Sequence, residues 1–401
     1  MKAIIAGGGT GGHLFPAIAL AEELRSRMTD PSLLFVGVEG GVEASLLAIR
    51  GWEFAGIRAS GVQGKRLGSR LRSLTLVPSG LIRSLSILRQ FRPDVVVGFG
   101  GYASAAMVLS AVLARVPTVI HEQNAFPGLA NRWLGRIVDR VAIAFEEASG
   151  HFPKEKVRVT GNPVRTELFG VSRVEAMTRL SLDPDRFTVL IFGGSQGAHR
   201  LNQAVMEALP MLTDERERIQ FVHATGPRDL TPVRQGYDAG GYRAAVEPFF
   251  QAMAVAYAAA DLCFCRAGAG TVAELCAMGK PSVLVPFPFA ASDHQRYNAE
   301  ALVATGGARR VLDRDLSGTT MAEYIRRHLG DREGLAMMAR RARALAKPDA
   351  AVRLADLVIQ TARQAPGARH QSVQQSWDVG AKHVSPMPSQ RRPGIWSAKN
   401  V

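Results

Sequence analysis

Three cysteines in 401 residues, Cys263, Cys265 and Cys276, are too few and too clustered for a disulfide framework, and no second group of metal-ligating residues accompanies them. Such a set argues against a structural zinc and for buried thiols in a reducing compartment. Long apolar runs are also missing. Glycine ends the first one within a few residues of Met1, so no signal-peptide core forms, and the run over residues 103–114 stops at Arg115, short of a bilayer. A cytoplasmic chain without a membrane span is expected. Acid is absent from residues 54–93, where Arg58, Lys65, Arg66, Arg70, Arg72, Arg83, Arg89 and Arg92 stand unopposed. Aromatics are sparse there too: between Lys65 and Arg92 only Phe91 is aromatic, which excludes a stacking platform for nucleic acid. This segment and the tail after Thr361 carry nearly all of the net charge of +14, so an anionic surface met locally is implied, not a basic fold.

What the chain does contain is one repeated unit, a short β-branched run, a glycine turn and an amphipathic helical stretch. It begins with KAIIAGGGTGGHLFPAIALAEELRSRM and returns in DVVVGFGGYASAAMVLSAVLA, FTVLIFGGSQGAHRLNQAVMEAL and DLCFCRAGAGTVAELCAMG. Strands alternating with helices imply parallel sheets covered on both faces, and the length exceeds what one core supports, so two α/β domains are expected. The join lies between Gly161 and Arg186. Residues after about 361 are rich in Gln, Ser, Pro and Arg without period and read as a basic disordered tail.

Each glycine turn, GGGTGG, GFGGYAS, GGSQGA and RAGAGT, sets backbone N–H groups at a helix N-terminus, where a phosphate is favoured. Gly7, Gly9 and Gly12 also satisfy a dinucleotide fingerprint, with Glu39 after the next strand, so an NAD-dependent oxidoreductase is a rival. It leaves GGSQGA and the acid of RAGAGTVAE unexplained. Four turns in two lobes favour a cleft for a phosphorylated ligand.

GGGTGGHLFPA, GFGGYAS, HEQN at 121–124, GNPVR at 161–165, GGSQGA at 193–198, RAGAGTVAE at 266–274 and DHQRYNA at 293–299 follow one another in the order and spacing of a known family. The chain resembles the glycosyltransferases that add N-acetylglucosamine to undecaprenyl-diphospho-N-acetylmuramoyl-pentapeptide, turning lipid I into lipid II in peptidoglycan synthesis. The resemblance runs from Met1 to about Gln360. It implies the GT-B architecture: a Rossmann-like acceptor and membrane-binding domain over 1–165, a Rossmann-like UDP-sugar domain over 166–347, a helix near 348–362 crossing back onto the first, and a tail over 363–401. It implies UDP-N-acetylglucosamine, lipid I, an anionic membrane surface and other cell-wall synthesis proteins as partners, with no nucleic acid and no cofactor, at the cytoplasmic face of the cell membrane. By motif, Thr10, Gly11 and Gly12 would lie on the donor side of the cleft, Asn124 would bond a sugar hydroxyl, and Arg165 and Ser195 would hold the diphosphate. The backbone of Phe250 would meet uracil. Ala269, Gly270, Thr271, Val272, Ala273 and Glu274 would wrap sugar and ribose, and Gln295 would select the sugar. The chain departs from the family pattern with RAGA for RSGA, Arg296 for a second glutamine, and Phe250 for an aliphatic residue. Another UDP-sugar enzyme, such as a 2-epimerase or a diacylglycerol glycosyltransferase, would share the donor cleft.

The implied reaction needs a base for the acceptor hydroxyl and positive charge for the departing diphosphate. His13, at the first helix's N-terminus, suits the base, because the helix dipole favours a neutral imidazole; the alternative is a histidine that only fixes the turn, with Glu122 the next candidate. No metal requirement is expected: Asp183-Pro184-Asp185 and Asp313-Arg314-Asp315 read as solvated loop acids away from the glycine turns. His121 with Glu122, Glu247 and His294 each read equally as site or structural residues. Leu74, Val77, Leu81, Leu85, Leu88 and Phe91 recur at helical spacing beside Arg72, Arg83 and Arg89, which makes either a core stripe or a peripheral membrane patch, the latter favoured by the unopposed bases.

Overall fold

The structure, a computed structural model, describes residues 1–8, 11–57, 67–194 and 196–364, with residues 42, 43, 45, 46 and 67–78 described by their backbone alone. Short β-branched runs form the strands, and the glycine turns release each into a helix. In the first lobe β1 (Lys2–Ala6), β2 (Ser32–Val38), β3 (Glu53–Ile57), β4 (Val95–Gly98), β5 (Thr118–Glu122), β6 (Arg140–Ile143) and β7 (Val157–Val159) pair in parallel in the order β3-β2-β1-β4-β5-β6-β7. Its helices are α1 (Gly11–Arg27), α2 (Val42–Ile49), α3 (Leu67–Phe91), α4 (Tyr102–Leu113) and α5 (Leu129–Leu134).

The second lobe starts with α6 (Arg173–Leu180). Its strands β8 (Phe187–Phe192), β9 (Ile219–Ala224), β10 (Ala244–Glu247), β11 (Leu262–Cys265), β12 (Ser282–Leu284) and β13 (Arg309–Arg310) pair in parallel in the order β10-β9-β8-β11-β12-β13. Helices α7 (His199–Ala208), α8 (Leu230–Gly240), α9 (Met253–Ala259), α10 (Ala269–Met278), α11 (His294–Ala304), α12 (Gly318–Leu329) and α13 (Arg332–Ala344) cover them. Each sheet has an apolar cluster on both faces, as burial of parallel strands requires.

The last helix, α14 (Ala350–Arg363), packs on α1 and on β4, β5 and β6 of the first lobe. Leu354, Leu357 and Val358 belong to the same cluster as Ile5, Leu14 and Val97, and burying each contributes about 1.5–3 kcal/mol. The chain therefore crosses between lobes twice. Burial pushes the Cys263 and Cys276 thiols up to about 12, and Cys265 higher than its usual range, so these thiols stay protonated and act as small apolar residues. Among the described residues no helix is long and apolar enough to cross a membrane.

Part of the apolar stripe on α3 serves the core: Leu88 is buried, and Leu85 and Phe91 pack on the apolar cluster beneath it. Those positions are corrected to core residues, since helix α3 must cover β-sheet surface along its C-terminal half. Ile82, by contrast, is 68% exposed. Arg83 and Arg89 are exposed and Leu81 is half-buried; Arg72, Leu74 and Val77 lie on the helical backbone, their side chains outside the described residues.

Candidate active site

Strand order reverses between β1 and β4 in one sheet and between β8 and β11 in the other. Ligands of open parallel sheets bind at the carboxyl ends of the strands beside such a reversal, where neighbouring loops diverge. The turns leaving these four strands are GGGTGG, GFGGYAS, GGSQGA and RAGAGT. All four glycine turns thus stand at the two crevice positions of the fold.

In the first crevice, His13 lies between the two turns. Its Nδ1 is 3.2 Å from the Gly8 carbonyl oxygen. A carbonyl only accepts, so Nδ1 carries the hydrogen, and a neutral ring then holds its lone pair at Nε2. The second turn is shaped around this ring: at Gly100, φ +99°, a Cβ would stand 3.1 Å from His13 Nε2, and at Gly101, φ +84°, a Cβ would lie 2.8 Å from the Gly8 oxygen. Side chains at both positions would be strained, the one at Gly100 pressing on the imidazole and the one at Gly101 on the Gly8 carbonyl that holds it. Gly11 and Gly12 open α1 beside it; Thr10 and Ser195 lie outside the described residues.

HEQN follows β5. Glu122, only 2% exposed, accepts at Oε1 from the backbone and side-chain nitrogens of Asn124 (2.9 and 3.0 Å), and at Oε2 from the Gly128 N–H (3.2 Å) and Asn131 Nδ2 (2.9 Å). A carboxylate so fully engaged organises its loop, which removes it as the fallback base. His121 Nε2 donates to the Gly161 carbonyl at 3.0 Å, and burial lowers its pKa to about 4, so it remains neutral and ties β5 to the interlobe crossing. Asn124 is held from across the cleft. Asn298 of α11, fully buried, donates to Asn124 Oδ1 (3.1 Å) and to the Ala267 carbonyl (3.2 Å), while its Oδ1 accepts from the Ala125 N–H at 2.8 Å. Phe126 and Tyr297 stack 4.9 Å apart across the same boundary.

A second link between the lobes is ionic. Arg165, 8% exposed, donates from Nη2 to Glu274 Oε1 at 3.0 Å, and its guanidinium lies 4.4 Å from the centre of the Phe15 ring on α1. Glu274 Oε2 accepts from the Tyr257 hydroxyl at 3.0 Å. Burial and the adjacent carboxylate raise the Tyr257 pKa well above its usual range, so the phenol keeps its hydrogen for this bond. Arg165 Nε is buried without a partner among the described residues, an unspent charged donor.

Residues 269–274 open α10, whose N-cap Gly268 offers no side chain to the first N–H groups. Ala269 and Val272 are buried; Gly270, Thr271, Ala273 and Glu274 are half-buried. Gln295, in the first turn of α11, accepts at Oε1 from the Ala267 and Phe287 N–H groups (3.1 and 3.0 Å), which fixes the turn after β11 and leaves its amide nitrogen as the donating group. Phe250 follows β10 with its ring in the second-lobe core. Arg296 pairs with Asp293 at 2.7 Å. Asp313 departs from the solvated-acid expectation: it pairs at 2.5 Å with Arg266, the residue that opens RAGAGT, because β13, paired on β12, brings this distant loop within reach of the side chain that leaves the end of β11. Asp315 stays exposed. Asn298, Tyr257 and Phe15 were not singled out from sequence; Asn298 stood within DHQRYNA, but only packing reveals that it spans the lobes. Among the described residues no group of three or more His, Cys, Asp or Glu side chains is arranged to hold a metal ion.

Residues 3–143 match the glycosyltransferase family 28 N-terminal domain and residues 188–354 its C-terminal domain. A UDP-N-acetylglucosamine--N-acetylmuramyl-(pentapeptide) pyrophosphoryl-undecaprenol N-acetylglucosamine transferase of Geobacter sp. (strain M21) is 48% identical over 88% of this chain and 94% of its own. Among solved structures, MurG of Acinetobacter baumannii superposes with a TM-score of 0.70 at 28% identity, covering 90% of this chain and 99% of that one. A putative UDP-N-acetylglucosamine 2-epimerase of Listeria monocytogenes shares the fold alone, with a TM-score of 0.66 at 16% identity over 90% and 96% of the two chains.

Proposed function

The chain belongs to the family of UDP-N-acetylglucosamine--N-acetylmuramyl-(pentapeptide) pyrophosphoryl-undecaprenol N-acetylglucosamine transferases, and from that premise we propose how its cleft carries out the transfer. The enzyme moves N-acetylglucosamine from UDP-N-acetylglucosamine to undecaprenyl-diphospho-N-acetylmuramoyl-pentapeptide, converting lipid I to lipid II. The muramoyl 4-hydroxyl attacks the anomeric carbon with inversion, its proton passes to His13 Nε2, and the bond to UDP breaks with its electron pair on the diphosphate. The observation that carries this reading is the convergence of all four glycine turns on the two crevices, with the lone pair of His13 on Nε2 in the first.

In the second crevice, the N-termini of α7 and α10 offer N–H groups to the UDP diphosphate, and Ser195, of the same glycine turn by sequence, is assigned to it as well. The unspent Nε of Arg165 supports the same assignment, since a buried charged donor left without a partner is costly and an anion would satisfy it. Glu274 receives the ribose hydroxyls, the Phe250 backbone meets uracil, residues 269–274 enclose sugar and ribose, and Asn124 and Gln295 bind the sugar. Thr10, Gly11 and Gly12 border the donor, and the first-lobe turns receive the acceptor diphosphate. Incubation with UDP-N-acetylglucosamine and a short-chain lipid I analogue in the presence of chelator should yield the disaccharide product. No product would overturn the assignment.

The acceptor is membrane-anchored, and α3 is the face we assign to the anionic surface at the cytoplasmic side. Exposed Ile82 beside Arg83 and Arg89 supports this, apolar side chain and bases together favouring an interfacial position. Leu81, with Arg72, Leu74 and Val77 further along the helix, completes the patch. Vesicles containing anionic lipid should bind the protein with an affinity that falls with salt. Changing Arg72, Arg83 and Arg89 to Glu should release it while turnover of a soluble acceptor analogue survives. Undiminished vesicle binding by that variant would reject the patch, and the same assay on a chain ending at Gln360 reports whether the basic tail binds instead.

A further inference from the structure

Arg266 follows β11, only 9% exposed, where the ends of three neighbouring strands come together. Its Nη1 donates to the Val285 and Pro286 carbonyls past the end of β12 (3.2 and 3.4 Å) and to Asp313 Oδ1 past the end of β13 (2.5 Å). The guanidinium also lies 5.5 Å from the centre of the Phe287 ring. The two segments clamped in this way are the ones that hold Gln295. The N–H of Ala267, next to Arg266, and the N–H of Phe287, next to Pro286, both donate to Gln295 Oε1. An amide that accepts from two backbone donors faces one way, because turning it over would set its NH₂ group against those donors. The two hydrogens on Nε2 are then the part of Gln295 left to meet the sugar.

We propose that Asp313 is a positioning residue for donor-sugar specificity, acting through Arg266 on the orientation of the Gln295 amide. This role rests on Gln295 binding the sugar. Asp313 supplies the carboxylate paired with Arg266, whose other contacts here are neutral carbonyls and a ring. Without it a buried guanidinium faces neutral groups alone, a costly state that is relieved by moving toward water. That movement releases the two carbonyls, and with them the Phe287 and Ala267 N–H groups that fix the amide. Hydrogen bonds weaken steeply off line, so a donor held in one direction distinguishes sugars by the orientation of a hydroxyl. A donor that swings or turns over accepts either orientation. The nucleotide should be unaffected, because Glu274 is held by Arg165 and Tyr257 and not by this clamp.

The full chain, given a lipid I analogue, is compared on UDP-N-acetylglucosamine and on UDP-N-acetylgalactosamine, which differs in the orientation of one ring hydroxyl. Asp313→Ala should lower the ratio of kcat/KM values about tenfold, a loss of about 1.4 kcal/mol in discrimination, with calorimetric UDP affinity unchanged. Asp313→Asn, which keeps the shape without the charge, should lower the ratio as well and serves if the alanine variant does not fold. Asp313→Glu, which keeps the carboxylate, should retain more of the ratio than Asp313→Asn. In a Gln295→Ala background the ratio has already fallen, and Asp313→Ala should lower it no further, because both changes act on one amide. An unchanged ratio in Asp313→Ala or Asp313→Asn, a glutamate variant no better than the asparagine one, UDP affinity lost alongside the ratio, or additive losses in the double variant would overturn the proposal and leave Gln295 on the sugar. A full ratio in Gln295→Ala would instead remove Gln295 from the sugar, and the role of Asp313 with it.

Discussion

His13→Ala should retain UDP affinity and cooperative melting yet lose about 10² to 10⁴ in turnover, the range that a positioned general base contributes. The ring's orientation is the reason. With Nδ1–H given to the Gly8 oxygen, Nε2 is the accepting atom, and glycine at position 100 keeps a Cβ from standing 3.1 Å from it. Protonation of the imidazole removes that lone pair, so the rate should fall as pH drops, and this acidic limb should vanish in the alanine variant. A histidine that only fixed the turn would behave otherwise: acceptor binding and melting temperature would fall together and the limb would persist. Turnover against pH at saturating acceptor decides, and a variant with an intact acidic limb and turnover within a few-fold of the parent would remove His13 from the chemistry. Glu122 would not replace it, since Asn124, Gly128 and Asn131 occupy its oxygens.

Glu274→Ala should act on affinity and stability together. Losing the acceptor of the ribose hydroxyls should weaken UDP binding by about 1 to 3 kcal/mol. The same change strips Arg165 of its carboxylate while leaving the guanidinium buried, and breaking one side of such a pair costs about 3 to 5 kcal/mol of stability. Tyr257→Phe, which removes only the hydroxyl bond to Oε2, should cost about 0.5 to 1.5 kcal/mol. Calorimetric titration with UDP and thermal melting separate the two effects. UDP affinity unchanged in Glu274→Ala, with a lowered melting temperature, would leave the residue a purely structural partner of Arg165.

Much of this site was legible before any fold was known, because glycine and charge are local signals. A turn that must approach an anion, or another backbone, can only be written with residues lacking a side chain, so GGGTGG, GFGGYAS, GGSQGA and RAGAGT announced themselves. Helical periodicity was a weaker signal. It put Leu85, Leu88 and Phe91 in one stripe with Leu74, Val77 and Leu81, but spacing alone does not say which face of a helix meets the sheet. Long-range pairing carried no local signal at all. Asp313 sat in an exposed-looking loop triplet 47 residues from Arg266, and the two met only once β11, β12 and β13 had paired.

The sequence by itself determined the alternation of strand and helix, the existence of two lobes, and the residue types at the crevices, since each follows from periodicity, from φ freedom or from charge within a few neighbours. Tertiary structure decided the partnerships. It made the GFGGYAS glycines a cradle for His13, turned Glu122 into a loop anchor, paired Arg165 with Glu274, and set Asn298 against Asn124. All but the Glu122 loop join residues far apart in the chain, and such contacts exist only after parallel strands have fixed their order and two lobes have buried their facing surfaces.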